Sequence, residues 1–80
     1  MDLERLKEFV TIAQQGNLKK AAQVLGTSVA TLSARLLRFE EHLGTQLFIR
    51  LGTAMELSDS GKSLLPNALE ILSRYQSIQQ

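Results

Sequence analysis

The sequence predicts a mainly α-helical fold with a single small β-hairpin and a long C-terminal helix. Apolar residues recur at intervals of three and four residues in four separate segments. Five glycines, at positions 16, 26, 44, 52 and 61, fall between these segments and mark breaks between elements. A chain of 80 residues, 44% hydrophobic and 21% charged, has the size and balance of one globular domain.

Two helices open the chain. The apolar positions of the first helix recur at helical spacing and are Leu3, Leu6, Phe9, Val10 and Ala13. This helix is expected to end near Gly16, and Asn17 is then a suitable N-cap for a short second helix. The positions that the second helix is expected to bury are Leu18, Ala21, Ala22 and Leu25. Gly26 ends the second helix.

The third helix begins after a tight turn. Thr27 or Ser28 is expected to cap its start, because a hydroxyl oxygen accepts a bond from a backbone N–H group that has no partner within the helix. Its apolar positions advance by four, three and four residues and are Leu32, Leu36, Phe39 and Leu43. With Leu32 facing inward, Leu37 faces outward, and Gly44 is the expected C-terminal cap.

A hairpin and a last helix follow. Two short apolar stretches, 46–49 and 55–57, flank Gly52 and predict the hairpin. The last helix starts between residues 58 and 60 and extends towards Gln80. Its apolar positions advance in steps of four and three, like a coiled-coil seam, and are Leu64, Ala68, Ile71, Tyr75 and Ile78. A second row is Leu65, Leu69 and Leu72; we expect one row to pack on the preceding helices and the other to meet another chain. We assign the first row to the dimer seam.

Pro66 lies within this last helix. Proline costs about 3 kcal/mol in a helix interior, because it removes a hydrogen bond and its ring clashes with the preceding turn. We therefore expect either a bend at Pro66 or a helix that starts close before it.

The order of the elements is typical of a winged helix-turn-helix, three helices plus a two-stranded wing. We assign residues 1–58 to this domain, with the helix-turn-helix at about 18–37, and residues 59–80 to a linker or dimerisation helix. A pair of helices that only pack against each other would produce the same local pattern at 18–37. Spacing alone leaves both interpretations open.

Charge is distributed unevenly along the chain, although the formal net charge is only +1. Residues 16–55 hold five basic and two acidic side chains, whereas the flanks hold four basic and six acidic ones. A basic middle between acidic flanks suits a surface for a polyanion such as DNA. Chance placement of solvated charges explains the same distribution equally well.

Several stretches carry a resemblance to a known family. Residues 16–28, GNLKKAAQVLGTS, and residues 31–44, TLSARLLRFEEHLG, resemble the helix-turn-helix of LysR-type transcriptional regulators. The match continues through QLFIR at 46–50, LSDSG at 57–61 and LLPNALEIL at 64–72, which resembles the linker helix of the family. The resemblance therefore covers nearly the whole chain.

The resemblance implies a bacterial regulator domain that binds double-stranded promoter DNA as a dimer, with its third helix in the major groove. It implies a homodimer formed through the C-terminal helix, with tetramers in full-length members, and no cofactor. Members of the family bind a small-molecule effector through a C-terminal domain, which is absent from this chain.

The resemblance also assigns site residues. The family reads bases with the start of its third helix, which here corresponds to Val29, Ala30, Ser33 and Ala34. The candidate phosphate contacts are Lys19, Lys20, Thr31, Arg35, Arg38 and Thr53. The candidate wing residues are Arg50 and Gly52.

This chain departs from the usual pattern at the reading positions. Typical members place Gln, Pro, Ser and often Arg there, and of these only Ser33 is kept; a second wing arginine is replaced by Thr53. Contact with thymine methyl groups remains available to alanine and valine. The departures leave open a second interpretation: a winged-helix module that binds protein, with Leu37 in its contact face, and has lost specific DNA binding.

Other classes of protein are disfavoured. The chain has no cysteine, and His42, its single histidine, has no second metal ligand at suitable spacing, so no metal site and no enzyme are predicted. No apolar stretch approaches the roughly 20 residues that span a bilayer. The N-terminus also lacks the pattern of a signal peptide, so we expect a cytoplasmic protein without a membrane partner.

Overall fold

The computed structural model describes residues 2–79, which form four helices and one two-stranded antiparallel sheet. The helices are α1 (Leu3–Gln15), α2 (Leu18–Leu25), α3 (Val29–Leu43) and α4 (Asp59–Gln79), and the strands are β1 (Phe48–Leu51) and β2 (Ala54–Leu57). The predicted winged helix-turn-helix, mainly α-helical with one hairpin, is confirmed. The predicted end of the last helix, Gln80, lies outside the described residues.

Local sequence signals set the starts of α2 and α3. Asn17 Oδ1 accepts a hydrogen bond from the backbone N–H of Lys20 at 2.9 Å, and Ser28 Oγ accepts one from the backbone N–H of Thr31 at 3.1 Å. These bonds satisfy donors that have no partner inside their own helix. The expected caps are confirmed, with Ser28 and not Thr27 capping α3.

The core lies where the first three helices meet, and the hairpin and α4 close it. Its buried apolar side chains are Leu6, Phe9, Val10, Ile12, Leu18, Ala21, Ala22, Leu32, Leu36, Phe39, Leu47, Phe48, Met55 and Ala68. The rings of Phe9 and Phe48 lie 5.4 Å apart at an angle of 50°, so that an aromatic pair joins α1 to β1. Every inward position predicted for α2 and α3 lies in this core or packs against it.

A buried carboxylate holds the hairpin to α3. Glu40 is only 8% exposed, and its Oε2 accepts hydrogen bonds from the backbone N–H groups of Leu47 at 2.6 Å and Phe48 at 3.4 Å. Hydrogen bonds to an ionised carboxylate are roughly twice as strong as those between neutral groups. Glu40 therefore fixes the entry of the chain into β1 relative to α3.

The hairpin forms a wing that is anchored to the helices. Gly52 is the first of its two turn residues and has a φ of 64°, which suits the tight turns that connect twisted strands. Arg50 pairs with Met55 in the antiparallel register. The backbone N–H of Met55 also donates to the carbonyl of Gly16 at 3.0 Å, so β2 is bonded to the α1–α2 connection as well.

Gly61 lies inside α4 and is closely packed. A Cβ at this position would overlap the backbone carbonyl of Leu47 and would lie 2.9 Å from Leu57 Cδ2. The same Leu47 carbonyl accepts a hydrogen bond from the backbone N–H of Ser58 at 2.9 Å. The prediction that Gly61 marks a break between elements is wrong: it permits the first turn of α4 to pack on the segment before β1.

The apolar side chains of α4 divide between the core and the surface. The helix begins at Asp59 and continues through Pro66 as one element. Those that pack on the core are Leu64, Leu65, Ala68 and Leu72, and those that are exposed are Leu69, Ile71, Tyr75 and Ile78. The expected division into one inner and one outer row is therefore not observed: each predicted row has members in both sets. Ala68, assigned to the dimer seam, is fully buried.

The length of α4 explains this division. α4 has 21 residues whereas α1, against which it packs, has 13, so the last turns of α4 extend past the core. Ile78 is accordingly 81% exposed. A heptad pattern indicates an apolar seam, but it does not indicate where along that seam the domain ends.

Candidate nucleic-acid interface

The outward face of α3 carries a strip of apolar side chains. This apolar strip consists of Val29, Ala30, Ala34 and Leu37. All four side chains are exposed. Val29 is 42% exposed and Leu37 is 49% exposed. Helical spacing directs these side chains away from the buried face of α3. Three of the four predicted base contacts thus lie together on an open surface.

Ser33, the fourth predicted base contact, is half-buried beside the wing. Its Oγ accepts a hydrogen bond from Nη1 of Arg50 at 2.8 Å. This bond joins α3 to β1 and places a guanidinium group at one edge of the apolar strip. The sequence indicated Arg50 only as a wing residue. No local pattern connects it with Ser33, which lies 17 positions away.

Glu8 makes a second link, from α1 to α3. It is 7% exposed, and its Oε2 accepts a hydrogen bond from Nη1 of Arg35 at 3.0 Å. The Nε of Arg5 lies 2.8 Å from Glu8 Oε1, so two cations compensate the buried carboxylate. Arg35, predicted as a phosphate contact, is therefore engaged within the domain and helps to orient the start of α3.

We expect the substitution Glu8→Ala to lower the free energy of unfolding by about 1–2 kcal/mol, because two arginines lose their anionic partner. The cost stays moderate because the side chains of Arg35 and Arg5 are 38% and 27% exposed, and water solvates part of each charge. Urea denaturation at constant pH measures the change. Glu8→Gln keeps a hydrogen-bond acceptor and should cost less; an equal loss in both variants would contradict an ionic role.

Exposed cations lie around the apolar strip. Arg38 follows Ala34 by one turn of α3, on the side of the strip opposite to Arg50, and is exposed. Lys19 and Lys20 are exposed in the first turn of α2. Phosphate groups of a nucleic acid backbone bind to cations arranged in this way. Exposed cations are therefore available on α2, on α3 and on the wing.

Two threonines complete the predicted phosphate contacts, and both are exposed. Thr53 lies in the wing turn beside Gly52. Thr31 is in the first turn of α3, where its Oγ1 accepts a hydrogen bond from Ser28 Oγ at 2.9 Å. The predicted site residues thus come from three elements and lie on α2, α3 and the wing.

The rest of the described chain offers no competing site of metal chemistry. Within residues 2–79, no three His, Asp or Glu side chains are grouped closely enough to hold a metal ion. His42 is exposed in the last turn of α3. Among the helices described, none is both long enough and apolar enough to cross a bilayer.

Comparisons with known proteins agree with this geometry. The family model of bacterial regulatory helix-turn-helix proteins, lysR family, matches residues 3–62. The chain is 38% identical over 73 residues to the HTH-type transcriptional regulator BudR of Klebsiella aerogenes, covering 91% of this chain and 51% of BudR. It is 35% identical over 77 residues to the HTH-type transcriptional regulator CitR of Bacillus subtilis (strain 168), covering 96% of this chain and 26% of CitR.

A solved structure resembles the whole described fold. The crystal structure of a CbnR DNA-binding domain in complex with DNA matches with a TM-score of 0.92 and 29% sequence identity, covering 99% of this chain and 91% of that chain. This chain spans about half the length of BudR and about a quarter of the length of CitR.

Proposed function

Because this chain belongs to the lysR family of bacterial regulatory helix-turn-helix proteins, we propose that it binds promoter DNA and regulates transcription. The observation that carries this proposal is the exposed face of α3, bordered by cations on α2, on α3 and on the wing. A helix presented in this way fits the major groove, while the helix before it lies across the backbone. The CbnR domain, which matches so closely in fold, was crystallised with DNA, and this supports the proposal.

We assign the contacts as the family pattern suggests. Val29, Ala30, Ser33 and Ala34 would face base edges in the major groove. The contacts to the DNA backbone would be Lys19, Lys20, Thr31, Arg38 and Thr53. Arg35 is left out because it donates a hydrogen bond to Glu8. Arg50 and Gly52 would bring the wing towards the flanking minor groove. Phosphate contacts fix the register of the domain, and only base contacts carry sequence information.

Residues 1–58 would form the DNA-binding unit, and residues 59–80 would join two copies through α4. Exposed apolar side chains in the C-terminal half of α4, at positions 69, 71, 75 and 78, support this division. Two copies would then place their α3 helices in successive major grooves on one face of the DNA. In a longer chain, a tetramer and a small-molecule effector bound by a further domain would follow the family pattern. Such a regulator would act in the cytoplasm.

The substitution Ile71→Glu tests the dimer. Ile71 is 40% exposed on α4, and a carboxylate buried between two helices would lack a partner. We expect the dimer dissociation constant to rise about a hundredfold, measured by sedimentation equilibrium. Ser77→Glu adds the same charge at an exposed position on another side of α4 and should leave the dimer unchanged. A dimer that withstands Ile71→Glu would contradict the assignment.

Selection from a randomised DNA library by the purified chain tests the function itself. Enrichment of an interrupted inverted repeat would support a dimeric promoter binder.

The alternative is a protein-binding module, favoured by the 49% exposure of Leu37 on α3. Ser33→Arg distinguishes the two: it should change DNA affinity if α3 enters the groove, and it should have no effect on DNA if this face binds protein. Failure to bind any DNA at low salt would overturn the proposal.

A further inference from the structure

We infer that α3 recognises its DNA by the 5-methyl groups of pyrimidines in the major groove, so that 5-methylcytosine substitutes for thymine. This inference rests on the proposed function, since it concerns how the same face of α3 would read DNA. It goes further by naming the chemical group that is read. The predicted property is a DNA affinity that responds to cytosine methylation.

The exposed surface of α3 suits a methyl group in the DNA. The apolar strip presents only hydrocarbon groups, from Val29, Ala30, Ala34 and Leu37, and the exposed carboxylate of Glu41 follows it one turn after Leu37. Base pairs differ in the major groove by their hydrogen-bonding groups and by the thymine methyl group. Apolar side chains gain nothing from the hydrogen-bonding groups and lose free energy by desolvating them. The methyl group is the one feature of a base edge that suits the strip.

Two polar side chains beside the strip, Ser33 and Arg35, already have partners within the domain. Ser33 accepts a hydrogen bond from Arg50 at 2.8 Å, and Arg35 donates to Glu8 at 3.0 Å. Discrimination by hydrogen bonds depends on bidentate pairs, such as arginine with guanine or glutamine with adenine. The half-buried Ser33 hydroxyl has one hydrogen left to donate, and this cannot make a bidentate pair.

The cations near the strip suit a DNA backbone. Arg38 on one side, Arg50 on the other, and the lysines of α2 form a basic border to an apolar centre. This border complements the phosphates on both sides of a groove, which favours DNA over a protein helix as the partner of the apolar centre. The cations supply affinity that is independent of sequence, so the strip is left to supply selectivity.

The methyl group can be removed from DNA or added to it without changing base pairing. Uracil is thymine without its methyl group, and 5-methylcytosine is cytosine with a methyl group at the same ring position. The probe is the short duplex most enriched by selection, prepared once with thymine and once with uracil. Two further duplexes replace one recognised T·A pair by C·G and by 5-methylcytosine·G.

We expect uracil to weaken binding about threefold to fourfold for each thymine that is contacted, the effect of leaving one methyl group unburied. We expect the 5-methylcytosine duplex to bind more tightly than its cytosine counterpart by the same factor. Fluorescence anisotropy at fixed salt measures all four affinities. Equal affinity for the thymine and uracil duplexes would overturn the inference.

A matched pair of variants connects the effect to the strip. Val29→Ser removes two methyl groups from the strip and should reduce the preference for thymine over uracil. Val24→Ser makes the same change at an exposed valine of α2, 63% exposed, and should leave the preference intact. If both variants keep the full preference, Val29 does not read the methyl group and the inference fails.

The outcome of this experiment separates the two proposals. Salt-sensitive binding that is equal for all duplexes would overturn methyl recognition while leaving DNA binding intact. Absence of binding to every duplex at low salt would overturn DNA binding and methyl recognition together.

Discussion

Replacing Gly61 by alanine is expected to lower the free energy of unfolding by about 3 kcal/mol, the upper end of the usual cost of overpacking. The added Cβ would overlap the backbone carbonyl of Leu47, which already accepts a bond from Ser58, so no side-chain rotation relieves the clash. A domain of 80 residues has a total stability of only about 4–12 kcal/mol. The variant should therefore lose a large share of its stability.

Gly44→Ala is the control for this prediction. Nothing lies within 4 Å of a Cβ at Gly44, although its φ of 74° is unfavourable for alanine and costs about 1–2 kcal/mol. Chemical denaturation of both variants and the wild type gives the comparison. If Gly61→Ala costs no more than Gly44→Ala, the close approach of α4 to the segment before β1 is not a constraint on folding.

Reversing the charge of Lys19 and Lys20 together is expected to weaken DNA binding about a hundredfold at moderate salt. Each phosphate contact that is lost removes the release of about one counterion, and a glutamate repels the backbone in addition. The slope of log affinity against log salt should become less negative by about 2 for each protomer, because two phosphate contacts are lost. Anisotropy titrations of the Lys19→Glu/Lys20→Glu variant at several salt concentrations measure both effects.

The chain offers a matched control, because its remaining lysines lie elsewhere. Lys7 on α1 and Lys62 on α4 are both exposed, and the double variant Lys7→Glu/Lys62→Glu has the same net charge as the test variant. Its loss of affinity should be several times smaller. Equal losses in the two double variants would mean that overall charge, and not the start of α2, determines binding.

The helix ends and the wing could be predicted from the sequence because each depends on residues close together in the chain. Asn17 and Ser28 bond to backbone groups three positions away, and the turn at Gly52 joins adjacent strands. Their residue types are selective for these conformations. Capping, turn and periodicity signals therefore sufficed to predict the order and type of all six elements.

The bonds that orient α3 could not be predicted in this way. Glu8 and Arg35 lie 27 positions apart, and no periodic or capping signal links charged residues at such a separation. The sequence therefore assigned Arg35 only as a phosphate contact and did not indicate its bond to Glu8. Gly61 was misinterpreted for a related reason: a glycine that ends an element and a glycine that admits a neighbouring backbone look the same until the neighbour is placed.

These hydrogen bonds fix the position of α3, and with it the exposed face, within the domain. Arg35 is joined to α1, Arg50 joins Ser33 to the wing, and Glu40 holds the segment that leads into β1. The first turns of α3 are therefore fixed from both sides, while its apolar strip stays open. A preorganised helix loses little conformational entropy on entering a groove, which favours binding.

The most direct test of the account is the affinity of the wild-type chain for a short DNA duplex, followed by anisotropy as salt rises from about 50 to 200 mM. We predict a linear fall of log affinity against log salt with a slope of about −3 per protomer, corresponding to Lys19, Lys20 and Arg38. No binding at the lowest salt, or an affinity that does not change with salt, would contradict DNA recognition by this surface.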